Sequence, residues 1–197
     1  MLPMPGETVA LHIFEPRYQE LFRRLELGDL EEFGIAAQNS QPLSAETNAE
    51  WGSTMRLVFV TPTGASGPRD VVLKCVGLFR IEALHLAPPF SPEPFPTGRI
   101  EAITTWKNWR ISEHSRSEFD FIARSMGAQM GQPIDETAKK PLITEAMIKL
   151  QFNPTEREAV LSKVPGIQME KHFAQVVRFK RMIHEQEALR KGEHFPN

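Results

Sequence analysis

Alternation of apolar and polar positions organises the first half of this chain, and helical spacing the second. Residues 8–14, TVALHIF, are mostly β-branched, aliphatic or aromatic, which suits a pleated, buried strand. Phe14, at its end, is expected to be buried between the sheet and the element that follows. Pro16 fixes φ near the helical value at a first-turn position, with Glu15 beside it at the positive end of the helix dipole. Tyr18, Leu21, Phe22 and Leu25 then recur at i, i+3, i+4 and i+7, the apolar stripe of an amphipathic helix. Arg17, Gln19, Glu20, Arg23 and Arg24 fill the other face, and Gly28 is placed to stop the helix.

Further strands are expected at 33–36 and, bounded by Gly52 and Pro62, at 55–60. A turn-rich connector, TPTGASGP at 61–68, leads into a long β segment over 70–86. One parity of that segment carries Val71, Leu73, Cys75, Gly77, Phe79, Ile81 and Ala83; the other includes Lys74, Arg80 and Glu82. Gly77 falls in the apolar series, so a bend or a close backbone approach is expected there, as at barrel corners. Residues 88–96, PPFSPEPFP, hold five prolines and are excluded from a central strand. They read as a stiff loop before a strand at 98–105; a polyproline ligand is the alternative.

From Ser112 the pattern turns helical. Ser112 is a candidate cap, and Phe119, Ile122, Ala123, Met126 and Met130 mark one face of a helix ended by Gly131-Gln132-Pro133. A second helix is expected over 142–150. A third opens at Asn153 or Thr155, with Glu158 three residues after Thr155 in capping-box style, and ends at Pro165-Gly166. The spacing predicts a long amphipathic helix over 168–190 with Met169, Phe173, Val176, Val177, Phe179, Met182 and Ile183 as its apolar residues. The fold class is therefore α+β: a small β barrel with one inserted helix over 1–108, then a helical subdomain over 109–197.

Composition changes this picture little. The 197 residues suffice for a real core, and the net charge of −2 provides no general attraction to nucleic acid or anionic membrane. Residues 15–50 carry eight acidic and three basic side chains, and 171–197 carry six basic and three acidic, in patterns expected of solvated helix faces. Cys75 is the sole cysteine, so an intramolecular disulfide and a cysteine-based zinc site are excluded. No signal-peptide pattern and no stretch of roughly 18 apolar residues is present, and a cytoplasmic location is expected.

The residues LHIFEPRY, followed by a short helix and FGIA (33–36), resemble the signature of the Lon protease N-terminal, or substrate-binding, domain, here in a stand-alone form. Trp51-Gly52-Ser53-Thr54 precedes a strand as that family's "GT" does. VVLKCVGLFRIEAL (71–84) is similar to its strand, G-x-x-RF-x-I and strand, and 95–103 to the strand after it. The resemblance implies a PUA-like pseudo-barrel and gives His12, Phe14, Glu15, Pro16, Arg17, Tyr18, Gly77, Phe79 and Arg80 mainly structural roles. At its start the chain departs from the family: only MLPM precedes the PGE (5–7), where a further strand is usual. Either a start assigned about ten residues late or an uncovered strand edge is expected, and such an edge is a template for self-association.

Full-length Lon proteases add an ATPase and a serine–lysine peptidase module. The sequence has no GxxxxGK[ST] loop, and Gly64-Ala65-Ser66-Gly67 lacks the lysine and following helix. Ser162-Lys163 is no dyad, because neighbouring helical residues point about 100° apart. His12, His85, His114, His172, His184 and His194 share no HxH or HxxxH spacing, so no metal or other cofactor is expected. Trp106-Lys107-Asn108-Trp109-Arg110 interleaves two indoles with two cations. Trp106, Trp109, Lys107 and Arg110, with Phe90 and Phe95 of the proline-rich loop, are the candidate contacts for an apolar peptide; the same tryptophans would alternatively anchor the barrel-to-helix hinge.

The resemblance thus implies a noncatalytic module that recognises unfolded or apolar polypeptide. Two alternatives stand beside it: an RNA-binding PUA-like module using the Trp106–Arg110 residues, disfavoured by the acidic charge, and a small-molecule-binding barrel, for which no convergent polar set is visible.

Overall fold

The computed structural model describes residues 1–37, 50–61, 68–85, 94–130, 141–163 and 167–191, with backbone alone at 126–130 and 191. The 62–67 connector, residues 88–93 with Phe90, the helix stops at Gly131-Gln132-Pro133 and Pro165-Gly166, and His194 lie outside the described residues, as do the side chains of Met126 and Met130. The chain divides into two compact units, Met1–Trp106 and Lys107–Asn197.

In the first unit, β1 (Thr8–Ile13), β2 (Phe33–Ala36), β3 (Trp51–Val60), β4 (Arg69–His85) and β5 (Thr97–Ile103) form one antiparallel sheet, with α1 (Pro16–Leu27) between β1 and β2. The long β4 organises it. Along one side β4 pairs with β3; along the other its first half pairs with β1 and its second half with β5. β2 pairs with β3 alone, so among the described residues the sheet is open, with the order β1-β4-β3-β2 and β5 beside β4. β1 has no strand partner on its far side among the described residues.

α1 forms as its stripe demands. Glu15 is its extended N-cap residue rather than a first-turn carboxylate, Pro16 occupies the first turn, and Gly28 closes the helix in the left-handed region at φ 78°. The Gly28 N–H donates to the carbonyls of Arg24 and Leu25. Leu21, Phe22 and Leu25 pack with Ile13, Met55, Val71, Leu73 and Cys75 to make the core, with Tyr18 half-buried against it.

One expectation fails here. Phe14 is 64% exposed, whereas Ile13 is buried at 7%. The pleat sends successive side chains to opposite faces, and Val9, Leu11 and Ile13 take the inward phase. Phe14 shares the outward phase of His12 and stacks on it, with ring centroids 6.4 Å apart.

Residues 2–5 are buried although no periodic pattern marks them. The Pro3 carbonyl accepts a hydrogen bond from Ser53 Oγ (2.7 Å), and Cys75 Sγ lies 3.4 Å from it. Gly6 N–H donates to the Cys75 carbonyl and Cys75 N–H to that of Glu7, pinning this segment to β4.

Irregular pairing breaks the strict alternation of β4. Thr54 faces Gly77 but Met55 faces Cys75, which leaves Val76 as a bulge; beyond it Leu78 and Phe79 are both buried. This irregularity lies next to Gly77, where no close backbone approach is present among the described residues: a Cβ there would meet the Thr54 side chain, at 3.5 Å.

The second unit holds a 3-10 turn that begins in the first (Thr105–Asn108), α2 (Glu113–Met130), α3 (Ile143–Lys149), α4 (Pro154–Leu161) and α5 (Ile167–Lys191). Its core contains Phe119, Ile122, Met147, Phe152, Val160, Phe173 and Val177. The cap of α4 is Asn153, not Thr155: its side chain accepts from Glu156 N–H, and the Glu156 carboxylate accepts from Asn153 N–H. α2 and α5 run side by side, tied by Arg178–His114 (2.7 Å), Arg181–Glu118 (2.8 Å) and Ser125–His184 (2.5 Å). Phe179, Met182 and Ile183 of α5 face solvent.

Candidate functional site

The described residues singled out from sequence fall in both units. Trp106 belongs to the first unit and Lys107, Trp109 and Arg110 to the second. Both indoles are half-buried and both cations exposed. The Trp109 carbonyl accepts from Ile143 N–H (2.7 Å), and Arg110 makes a backbone bridge with Leu142, so this stretch is bound into the helical unit by its main chain. Phe95 is half-buried against the sheet core with the Arg24 guanidinium 5.4 Å from its ring centre.

The LHIFEPRY residues make local surface pairs. His12 Nδ1 lies 2.7 Å from Asp70, its cross-strand neighbour. Arg17 pairs with Glu15 at 2.8 Å and covers the Tyr18 ring at 4.6 Å. Both pairs are well exposed and worth little energetically. Arg80 lies over the ring of buried Trp51, its partner across β3 and β4.

Sequence reasoning missed one concavity of the first unit. A shallow groove of about 600 Å³ runs between the end of α1 and the last half of β3, lined by Leu25, Glu26, Gly28, Leu30 and Glu31 on one wall and by 56–60 on the other. Three local features build it. β2 pairs only with 52–55, so β3 from Arg56 to Val60 has no strand on that side among the described residues. The left-handed turn at Gly28 ends α1, and Leu30 and Glu31 follow it along the groove before β2 begins at Phe33. Finally, Leu57 faces Leu73 but Phe59 faces Val72, which makes Val58 a bulge. In consequence Val58 and Phe59 are exposed in succession, at 59% and 54%. The only trace of this in sequence is the apolar run LVFV (57–60), which alternation alone assigns half inward.

The rim is acidic: Glu26 and Glu31 line the groove, and Asp29 and Glu32 lie beside them in the chain. Glu26 is paired with Arg69, and Glu32 with Arg56 at 2.6 Å. Asp29 and Glu31 take part in no salt bridge among the described residues. The groove thus combines apolar walls, a main-chain edge with no strand partner among the described residues, and several carboxylates. No group of three metal-ligating side chains occurs among the described residues, and none of the described helices is long and apolar enough to cross a membrane.

No protein-family model matches the chain. The zebrafish (Danio rerio) protein cereblon is 31% identical over 77 residues, 39% of this chain and 18% of that protein, so the match spans less than a fifth of the relative's length. Among solved structures, the Lon N-terminal domain protein from Xanthomonas campestris superposes with a TM-score of 0.61 at 14% identity, covering 90% of this chain and 92% of that one. The N-terminal domain of the Mycobacterium avium complex Lon protease gives 0.59 at 9% identity, covering 92% and 93%. With the open antiparallel sheet, its inserted helix and the helices that follow, this chain has the fold of a Lon N-terminal domain.

Proposed function

We propose that this protein is a noncatalytic polypeptide-recognition module: a Lon-like substrate-binding domain on a PUA-like pseudo-barrel, acting in the cytoplasm on unfolded or apolar segments. The observation that carries the reading is the uncovered half of β3, where Val58 and Phe59 stand exposed beside a main-chain edge with no strand partner among the described residues. An extended chain can add a strand to such an edge, using main-chain hydrogen bonds for affinity and apolar contacts for selection. Neither ATP hydrolysis nor peptide cleavage forms part of this function.

Titration with a reduced, unfolded model protein tests it. Micromolar binding is expected, about −8 kcal/mol, because a disordered ligand loses chain entropy on ordering. Affinity is expected to fall only modestly between low and moderate salt, whereas RNA binding would fall steeply. No binding to unfolded protein, together with tight salt-sensitive binding to structured RNA, would overturn the reading.

A further inference from the structure

The groove beside β3 carries charge information that polypeptide recognition alone does not require. One wall is the strand edge from Leu57 to Val60, and the other presents Leu25 and Leu30. Between Glu26 and Glu32 the chain holds four carboxylates and no cation. Arg56, on the facing strand, is engaged by Glu32, and Arg69 engages Glu26. Glu31, in the groove wall, is exposed and takes part in no salt bridge among the described residues, and exposed Asp29, two residues before it, is near Arg23. Opposite charges attract most when brought within a few ångströms of each other.

We propose that the β3 groove selects extended segments in which an apolar side chain is flanked by lysine or arginine, adding them as a strand along Leu57–Val60. This rests on the polypeptide-recognition reading and specifies its ligand. Three observations meet in one place. The edge backbone has no strand beside it among the described residues, which calls for an extended partner. The bulge at Val58 turns two consecutive apolar side chains outward, which calls for an apolar contact. The acidic rim calls for a cationic flank. A second copy of this chain answers the last requirement poorly, since it would bring its own four carboxylates and an already paired Arg56 to the same contact.

The experiment uses the full chain and three fluorescent ten-residue peptides with one alternating apolar core, flanked by two lysines, two glutamates or two serines at each end. The lysine-flanked peptide is expected to bind about five- to tenfold more tightly than the serine-flanked one at low ionic strength, as two or three exposed ion pairs provide. The glutamate-flanked peptide is expected to be weakest, and the spread should narrow at 0.5 M salt. Glu31→Lys should abolish the lysine preference, and Phe59→Ala should weaken all three peptides about tenfold. Both residues are surface-exposed, and a circular dichroism melt confirms that each variant folds. Amide exchange should slow at 57–60 when peptide is bound. Equal binding of the three peptides, or protection confined to another surface while unfolded protein still binds, would overturn this inference and leave the recognition reading intact. Loss of all binding, to unfolded protein as well, would overturn both.

Discussion

The ring of Phe79 lies across Gly52, its cross-strand partner, so closely that a Cβ on Gly52 would sit 2.2 Å from Phe79 Cζ and 2.9 Å from the Ile35 carbonyl oxygen. The same ring reaches Gly34 on β2, where a Cβ would fall 2.8 Å away. One aromatic side chain thereby spans three strands and fills the space that two glycines leave. Gly52→Ala is expected to destabilise the fold by about 1–3 kcal/mol, because ring and backbone must both shift. Gly77→Ala, two residues before Phe79 in the chain, should change stability by less than about 1 kcal/mol. Chemical denaturation of the two variants checks the contrast; equal losses would show that the ring does not hold this position in solution.

Ile13 and Phe14 provide a second pair of opposites. Ile13→Ala removes a buried side chain and should cost about 2–5 kcal/mol. Phe14→Ala should cost less than about 1 kcal/mol, since the ring is largely in solvent. Urea midpoints at constant m-value measure both, and a larger loss for Phe14 would invert the assigned phase of β1.

Glu20 contributes to the acid response of α1. Hydrogen bonds from Arg23, and then Arg24, lower its carboxyl from the ordinary 4.5 to about 2. The native value lies below the unfolded one, so the stabilising contribution is complete above about pH 4.5 and is lost as pH falls toward 2. A carbon-13 titration of the Glu20 carboxyl should show a midpoint near 2. Glu20→Gln should remove that part of the acid sensitivity. A midpoint at the ordinary value would mean that the two arginines do not hold the carboxylate in solution.

In the helical unit, Asn153→Ala should cost about 0.5–2 kcal/mol by removing the cap of α4, whereas Thr155→Ala should be close to neutral. Glu156 closes the capping box and also meets Lys180 of α5 at 2.9 Å, so its removal should exceed the cost of the cap alone. Thermal melts of the three variants decide the order.

Sequence by itself determined what depends on neighbours within about one helical turn. It placed α1 by its stripe, Pro16 and Gly28, offered Asn153 as one of two caps, and carried in LHIFEPRY and its companion motifs the resemblance that the superposed Lon domains bear out at the level of fold. What joins distant strands was decided only in three dimensions. Seven consecutive strand-forming residues do not say which phase faces inward; pairing of β1 with β4 and packing of α1 chose Ile13 over Phe14. The bulges at Val76 and Val58 arise from the register between β3 and β4, and they bury both Leu78 and Phe79 and expose both Val58 and Phe59 against simple alternation. The groove follows from the shortness of β2 beside the length of β3, a relation between strands and not within one. Side-chain spacing records local periodicity, whereas register is a property of two strands at once, and one strand's residues do not encode its partner's offset.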